Sequence, residues 1–296
     1  MKIYDCFIYF DEDLLLDVRL NILDKFVDKF VIVESKFSHS GEAREPNFKL
    51  EKYKKYKEKI EYILLEENPS NLFQIKKNDP RRSEKIIINA NLREFFQRNA
   101  IIQGLSEAKD NDIILISDVD EIPNLEDLNL RNIKSKILMF EQSIFYYKLN
   151  RYLPNFKWFG TKACIKKNLI CPQWLRNIKS NKYSFYRIDT IFSDTKYINK
   201  KYIKNGGWHF SNLKNASDIE LKLKSYLHHH DYDSEELGKD KIDDLIRNNE
   251  TIYDMFGDKN SKKYGDDKRK KLEKYKFENL PEYIKKNKDK LAEWID

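Results

Sequence analysis

The stretch that most constrains the fold of this chain is 112–123, in which the aliphatic run Ile113–Ile116 leads directly into three carboxylates and a proline. An aliphatic run this short cannot cross a membrane, and it is typical of a β-strand that is buried on both faces. The carboxylates of Asp118, Asp120 and Glu121 then fall at the carboxyl end of that strand, where open α/β sheets bind their ligands. The stretch therefore predicts an α/β protein with a ligand site at this edge of its sheet.

The spacing of Asp118 and Asp120 adds a chemical constraint. Side chains two residues apart on a regular strand share a face, and hard oxygen ligands placed together suit Mg²⁺ or Mn²⁺. A divalent ion held there could bind a diphosphate. The other interpretation is a strand-end turn with solvated carboxylates. The buried strand before the pair favours metal binding, whereas Asp231 and Asp233 have the same spacing without such a strand.

Composition permits a packed core and excludes several classes of protein. The 296 residues are 40% hydrophobic and carry a net charge of +7, which suits an anionic ligand but is more typical of an ordinary lysine-rich protein. The cysteines, Cys6, Cys164 and Cys171, lack zinc or disulfide spacing. The N-terminus has neither the layout of a signal peptide nor a membrane span. We therefore expect a cytoplasmic protein without a membrane span.

Hydrophobic periodicity predicts the order of the elements. Strands at 3–10 and 30–33, with a helix from residue 14 between them, have the spacing of a βαβ unit. Besides the strand in 112–123, the pattern predicts further strands at 60–65, 137–147 and 162–166, and helices at 49–60, 92–105 and 217–228. The segments without a clear pattern are interpreted as loops or insertions, namely 69–85, 124–135, 148–160 and 172–186.

A second concentrated signal is the run Gly206–Ser211, which reads Gly-Gly-Trp-His-Phe-Ser. Paired glycines let a backbone approach a ligand closely or adopt positive φ. His209 in this run suits a metal such as Mn²⁺, although a lone histidine is as often a structural hydrogen-bonding residue. Arg98 could neutralise a phosphate or instead pair with Glu94 at the helix surface. Lys222 could reach a diphosphate or be solvated.

Several nucleotide-binding and catalytic motifs are missing from the chain. No Gly-x-Gly-x-x-Gly loop follows the first strand, and no Walker Gly-Lys-Ser/Thr or Gly-x-Ser-x-Gly elbow is present. Their absence disfavours dinucleotide oxidoreductases and P-loop NTPases.

With these residues in place, the chain resembles glycosyltransferase family 17, the enzymes similar to β-1,4-mannosyl-glycoprotein β-1,4-N-acetylglucosaminyltransferase. The resemblance rests on separated blocks, in the right order, over nearly the whole chain. The strongest blocks are 117–123 and 206–211, and Lys222, Ser225 and His228 follow at a spacing like that of the family. The remaining blocks are 4–7, 17–34, 37–41, 97–100 and 280–284.

The resemblance implies a GT-A type fold, in which a Rossmann-like mixed sheet is flanked by helices. We expect residues 1–232 to form this catalytic domain and residues 233–296 to form a charged helical extension packed on it. The family implies an inverting transfer from a UDP-sugar, with UDP-N-acetylglucosamine as the first-choice donor, to a glycan or lipid-linked glycan. The Lys- and Asn-rich composition fits a bacterial enzyme of surface polysaccharide synthesis at the inner face of the membrane. The basic run 268–271 could contact anionic lipid or form a solvated helix face.

The resemblance also implies a metal site and a catalytic pair, Glu121 and Asp120. Asp118, Asp120 and His209 are expected to hold Mn²⁺ or Mg²⁺, which neutralises the UDP leaving group. Inversion requires a carboxylate that activates the acceptor hydroxyl, and Glu121, adjacent to Asp120, is the first candidate. Glu121 could instead be a hydrogen-bond acceptor that fixes the turn before Pro123.

Two further sets of residues complete the predicted site. The alternative general bases are Glu141, on the next strand, and Asp189. The residues expected to contact the nucleotide or the donor sugar are Glu34, Ser35, Arg98, Asp118, Trp208, Lys222 and His228.

Two other functions stay open at this point. A sugar-phosphate nucleotidyltransferase also uses acidic residues and metal, but it usually has a glycine-rich loop near the first strand, and residues 5–14 contain no glycine. A non-enzymatic protein that binds carbohydrate or nucleic acid would use aromatic and basic residues for stacking and phosphate contacts. No nucleic-acid motif is present, so no nucleic-acid partner is expected.

Overall fold

The computed structural model describes residues 1–126, 128–130, 135–184, 186–190, 192–225, 237–252 and 269–296. The strands in these residues are β1 (Ile3–Ile8), β2 (Lys29–Ser35), β3 (Ile60–Leu65), β4 (Ile113–Asp118), β5 (Glu121–Pro123), β6 (Ile137–Phe140), β7 (Ser143–Tyr146), β8 (Arg151–Tyr152), β9 (Lys162–Ile165), β10 (Lys200–Ile203), β11 (Gly207–Ser211) and β12 (Glu273–Lys274). The α-helices are α1 (Asp13–Leu23), α2 (Arg82–Asn99), α3 (Pro172–Asn177), α4 (Ala216–Ser225), α5 (Gly238–Arg247) and α6 (Glu282–Lys286).

The strands form two sheets. The larger sheet has seven strands in the order β10-β6-β9-β4-β1-β2-β3, and the smaller has five in the order β12-β8-β7-β11-β5. In the larger sheet β9 runs antiparallel to both of its neighbours, while the other pairs are parallel. The predicted class, a mixed sheet flanked by helices, is confirmed.

Both faces of the larger sheet are covered, which explains its apolar strands. Alternate residues of β1 enter different core clusters: Phe7 lies in the cluster that contains Leu16 of α1, and Cys6 lies in the cluster that contains Ile101 and Leu105. The strand β4 is buried in the same way from Ile113 to Ser117, and Asp118 is its first residue with partial exposure. The carboxylates therefore emerge where β4 leaves the core.

Two predicted helices differ from the structure. The segment predicted to be helical at 49–60 is a 3-10 helix over Leu50–Lys59 with a kink at Tyr53. The helix predicted at 92–105 begins ten residues earlier, at Arg82, and its last part, Ala100–Leu105, is 3-10. Its buried side chains, apart from Ala90, are polar, so hydrophobic periodicity is weak there; they are Asn89, Gln97 and Arg98.

Two other predictions from the pattern were wrong. The single strand predicted at 137–147 is two strands, β6 in the larger sheet and β7 in the smaller one. The backbone of Glu141 pairs with Ile203 and Gly206 at this crossing point. Within the predicted loop 172–186, Pro172–Asn177 forms α3, with Pro172 in its first turn and the sulfur of Cys171 accepting from the Trp174 N–H. Six residues are too few for a periodic signal.

The C-terminal segment lies on the main core. Leu280, Ile284 and Leu291 are buried in the cluster that also contains α1 side chains, and the hydroxyl of Tyr283 donates to Asp17 Oδ2 at 2.9 Å. Across the ranges that the structure describes, no helix is long and apolar enough to span a membrane.

The paired glycines let two backbone segments meet. Gly207 has a φ of +131°, and a Cβ on it would lie 2.1 Å from the carbonyl oxygen of Ile122. A Cβ on Gly206 would lie 2.7 Å from the carbonyl oxygen of Ile203. The close approach expected of these glycines is thus made to the protein's own backbone, and it places β11 beside β5.

Replacement of Gly207 by alanine is expected to lower the free energy of unfolding by about 2–3 kcal/mol, because the clash with Ile122 adds to the strain of positive φ. Gly238→Ala is the matched control, since Gly238 also has positive φ, +74°, and among the described residues no atom lies within 4 Å of its added Cβ. Urea unfolding of both variants measures the difference. Equal losses in the two variants would show that the close approach at β5 contributes nothing.

Candidate active site

A buried arginine donates hydrogen bonds to the backbone of the turn that carries the predicted carboxylates, residues 118–121. Arg19 of α1 is fully buried and pairs with the equally buried Asp5 at 2.6 Å. Its Nη1 donates to the carbonyl oxygens of Asp118 at 2.9 Å, Val119 at 3.2 Å and Glu121 at 2.9 Å. The carboxylate turn, as we call residues 118–121, is therefore fixed by a guanidinium from the first helix.

Two further arginines hold the side chain of Asp118. Arg98 Nη2 donates to Oδ1 at 2.8 Å, and Arg176 Nη2 donates to Oδ2 at 2.7 Å. Burial alone would raise the pKa of Asp118, but the charges of Arg176 and Arg98 outweigh it and hold that pKa well below its usual range. The carboxylate is 38% exposed, so an ionised oxygen pair is accessible to solvent with its orientation fixed by the two arginines.

Glu121 is enclosed by donors. Its carboxylate accepts from Arg176 Nη1 at 2.7 Å and Nη2 at 2.8 Å, from Trp158 Nε1 at 2.5 Å and from the Asp118 N–H at 2.9 Å. Its side chain is 1% exposed. A carboxylate has about four acceptor positions, so these donors leave none for an acceptor hydroxyl. This geometry matches the interpretation in which Glu121 fixes the turn.

Gly160 makes room for the Glu121 side chain. A Cβ on Gly160 would lie 2.2 Å from both Cδ and Oε1 of Glu121. The carbonyl oxygen of Gly160 also accepts from Arg176 Nη1 at 2.5 Å. The absence of a side chain at residue 160 thus lets the Glu121 carboxylate pack directly against the backbone.

Asp120, His209 and Lys222 form a second group of charged side chains at the carboxylate turn. Pairing of β11 with β5 brings His209 Nε2 to 3.6 Å from Asp120 Oδ1, and Lys222 Nζ of α4 lies 3.7 Å from Oδ2. Burial would raise the pKa of Asp120, but His209 and Lys222 lower it overall. Burial would lower the pKa of His209, but Asp120 raises it overall. The structure therefore brings together three residues that the sequence analysis assigned to one site.

Some of the side chains gathered at the turn could bind a divalent cation. Asp120 and His209 have the right chemistry, and among the described residues the buried Nδ1 of His209 has no hydrogen-bond partner. Asp118 would bind a cation in competition with the guanidinium groups of Arg98 and Arg176. Within the described ranges, no group of three or more His, Cys, Asp or Glu side chains is already arranged around a common centre. Asp120 and His209 therefore fit a cation directly, and Asp118 fits one by sharing.

Two residues predicted to contact the nucleotide are engaged within the protein. Glu34 is fully buried, accepting from the N–H groups of Asn47 and Phe48 and from the hydroxyl of Tyr62, and pairing with Arg44 at 2.9 Å. Ser35 is also buried, and its Oγ accepts from the Phe37 N–H at 3.1 Å. In the structure both side chains hold the segment that follows β2 against the sheet.

The remaining predicted contacts fall in different places. Arg98 is buried and bonds Asp118, Glu94 and Gln173, so the predicted pair with Glu94 forms at 2.6 Å, inside the protein rather than at its surface. Trp208 is buried in the main core. His228 lies outside the described residues.

The two alternative general bases, Asp189 and Glu141, make their described contacts with residues outside the carboxylate turn. Asp189 sits on a 3-10 turn and pairs with Arg187 at 2.7 Å and Lys196 at 2.8 Å. Glu141 lies between β6 and β7, where its backbone pairs with Ile203 and Gly206. Neither has a described contact with Asp118 or Asp120.

The residues that the sequence analysis missed are the positioning arginines and their neighbours. Arg176 follows Pro172 by four residues, and a proline at the first helical position would have predicted the helix that carries it. Arg19 occupies the buried face of α1, between Leu15 and Leu23 at intervals of four residues. A charge at such a position is a signal for a buried ion pair.

Lys162 of β9 lies behind Arg176. Its Nζ donates to the carbonyl oxygens of Arg176 and Ile178, the latter at 2.7 Å. Burial and the nearby charge of Arg176 lower the pKa of Lys162 from 10.5 to about 7. In the folded protein this lysine is therefore divided between its charged and neutral forms near pH 7.

Because its pKa is lower in the folded protein than in the unfolded chain, Lys162 makes stability rise with pH from about 7 to about 10.5. Lys162→Met removes this contribution. The difference in unfolding free energy between wild type and variant is expected to shift in favour of wild type by about 2–3 kcal/mol between pH 7 and pH 9. Urea titrations at several pH values test this. Parallel pH profiles for the two proteins would contradict it.

Comparison with known proteins adds the family. The family model for glycosyltransferase family 17 matches residues 1–293. Among solved structures, the chain is similar to HddC from Yersinia pseudotuberculosis, with 9% identity and a TM-score of 0.33, over 70% of this chain and 92% of that one. A likeness at that level carries no argument about fold or activity. No curated protein sequence matches the chain.

Proposed function

This chain belongs to glycosyltransferase family 17, and from that premise we propose that it transfers N-acetylglucosamine, or a related hexose, from a UDP-sugar to a glycan with inversion. The observation that carries the proposal is the meeting of Asp120, His209 and Lys222 at the carboxyl edge of the larger sheet. Ligands of open α/β sheets bind at this edge. The strand order and the carboxylate turn at the end of β4 support a GT-A type arrangement.

We propose that Asp118, Asp120 and His209 bind Mn²⁺ or Mg²⁺ together with the donor diphosphate. The cation would neutralise charge on the departing UDP. Lys222 would add positive charge on the Asp120 side, where its Nζ already lies 3.7 Å from the carboxylate. Arg98 and Arg176 would keep Asp118 ionised and oriented, and Arg19 would keep the backbone of the carboxylate turn in place.

We propose that Glu121 positions the site and does not remove a proton. Its four donors and its 1% exposure favour a fixed acceptor. A general base must reach the hydroxyl from which it takes a proton. Of the two residues that we expected to be catalytic, Asp120 has the more accessible side chain, at 12% exposure. We therefore place the reacting groups on the Asp120 side of the turn.

We propose that the acceptor is a glycan or lipid-linked glycan of a bacterial surface polysaccharide, and that the enzyme works at the cytoplasmic face of the membrane. The Lys- and Asn-rich composition supports this assignment. Peripheral contact with the membrane would suit a lipid-linked acceptor.

The test is release of nucleoside diphosphate from a panel of sugar nucleotides in the presence of Mn²⁺. We expect UDP-N-acetylglucosamine or another UDP-hexose to be hydrolysed slowly, and Asp120→Asn to lower that rate by at least about 100-fold. The control is Asp244→Asn, which alters an exposed aspartate of α5. Hydrolysis of GDP-sugars alone, or equal rates in the two variants, would contradict the proposal.

A further inference from the structure

A cavity of about 510 Å³ lies beside α3 and the start of β9. This volume falls within the range of roughly 300–1,000 Å³ that is usual for small-molecule sites. Its lining includes three basic residues, two hydroxyl residues and one aromatic residue, namely Lys162, Arg176, Lys179, Ser180, Thr195 and Phe159. Among the described residues that line the cavity, none is Asp or Glu. The lining therefore suits an anion.

The wall of the cavity is held in place by donors from the sheet. Lys162 donates to the carbonyl oxygens of Arg176 and Ile178. Lys200 of β10 donates to the carbonyl oxygens of Lys179 and Asn181, each at 2.6 Å. The segment 176–181 is thus fixed before any ligand arrives, and a preformed site loses less entropy on binding.

Lys162 supplies a buried amino group to the cavity. Its side chain is nearly inaccessible, with 6% of the residue exposed. An ammonium group has three hydrogens, and two are used by the carbonyl oxygens of Arg176 and Ile178, which leaves one for a ligand. Burial and Arg176 lower the pKa of this lysine to about 7. An anion bound in the cavity would stabilise the protonated form of Lys162, which burial disfavours.

Arg176 connects the cavity to the candidate active site. The same residue lines the cavity and donates to Asp118 at 2.7 Å and to Glu121 at 2.7 Å. A molecule in the cavity would therefore lie one side chain away from the carboxylate turn. Binding sites for two substrates of a transferase must adjoin in this way.

We propose that this cavity, the cationic cavity, binds an acidic group on the glycan acceptor, either the carboxylate of a uronic acid or the phosphate of a phosphorylated sugar. This inference rests on the proposed transferase function. Lys179 and Lys162 would pair with the acidic group, Ser180 and Thr195 would bond sugar hydroxyls, and Phe159 would pack on the sugar ring. The proposed acceptors are therefore acidic glycans.

The test uses glucuronate, glucose 6-phosphate and glucose as probes, each titrated by ligand-observed NMR without any donor. Lys179→Glu reverses an exposed charge of the cavity lining without touching the buried network. Lys201→Glu is the matched control, because Lys201 is an exposed lysine on β10 outside that lining. Binding of UDP is measured separately on the same proteins by calorimetry in the presence of Mn²⁺.

We expect one or both acids to bind wild type more tightly than glucose, and the tighter of the two identifies the acidic group. Lys179→Glu should weaken acid binding by at least about tenfold, while Lys201→Glu stays within about twofold. Equal binding of glucose, or equal losses in the two variants, would overturn the inference. UDP binding without acid binding would contradict the cavity assignment alone. Acid binding without UDP binding would support an anion site and contradict the proposed function.

Discussion

Replacement of Arg19 by methionine is expected to lower the free energy of unfolding by about 3–5 kcal/mol, because it leaves Asp5 as a buried charge without its partner. Both side chains are fully inaccessible to solvent, and they meet at 2.6 Å. The same change removes the donor to three carbonyl oxygens of the carboxylate turn. Urea unfolding followed by circular dichroism measures the loss.

The control for Arg19 is Lys25→Met. Lys25 pairs with Glu126 at 3.0 Å, but these side chains are 62% and 51% exposed, so its loss should change stability by less than about 1 kcal/mol. The double variant Arg19→Met with Asp5→Leu should regain part of the loss, because no buried charge is left. An Arg19→Met protein as stable as wild type would contradict the assignment.

The second large effect is expected for Glu121→Gln, which should lower the free energy of unfolding by about 3–5 kcal/mol. The change removes the negative charge that faces Arg176, and it turns an amide N–H₂ toward the donors of Arg176, Trp158 or the Asp118 backbone. UDP binding should weaken as well, since Arg176 also orients Asp118.

Glu121→Gln separates the two interpretations of this residue. A general base replaced by its amide would leave stability and UDP binding close to wild type while turnover falls by about 10²–10⁴-fold. A positioning carboxylate would lose stability first. Glu126→Gln is the control, because it makes the same chemical change at a carboxylate that is 51% exposed.

The parts of the fold that were predictable are those in which burial leaves a local pattern. Strands β1, β2 and β4 are covered on both faces, so their sequences are apolar runs. The break between β6 and β7 was missed because a contact with a distant residue stabilises it. The side chain of Gln142 is polar but fully buried, and it bonds Thr161 at 3.2 Å. Its environment depends on residues that the local sequence does not contain.

The candidate site divides in the same way. Asp118 and Asp120 were found because they follow a buried strand, and His209 was found because it follows two glycines. Arg176 was missed because it meets Asp118 across 58 residues of chain. Glu34 was expected near the nucleotide because it ends a strand, yet the segment after it folds back and supplies its donors. Contacts of this kind depend on tertiary structure, and local sequence patterns do not encode them.

The most direct test of the central claim is calorimetric titration of UDP and UDP-N-acetylglucosamine into wild type and Asp120→Ala, with Mn²⁺ and with a chelator. We expect binding to wild type that requires Mn²⁺ and weakens by at least about 100-fold in the variant. Asp244→Ala should bind as wild type does. Binding that is equal in Asp120→Ala, or no binding of either uridine nucleotide to wild type, would contradict the assignment of the carboxylate turn as a UDP-sugar site.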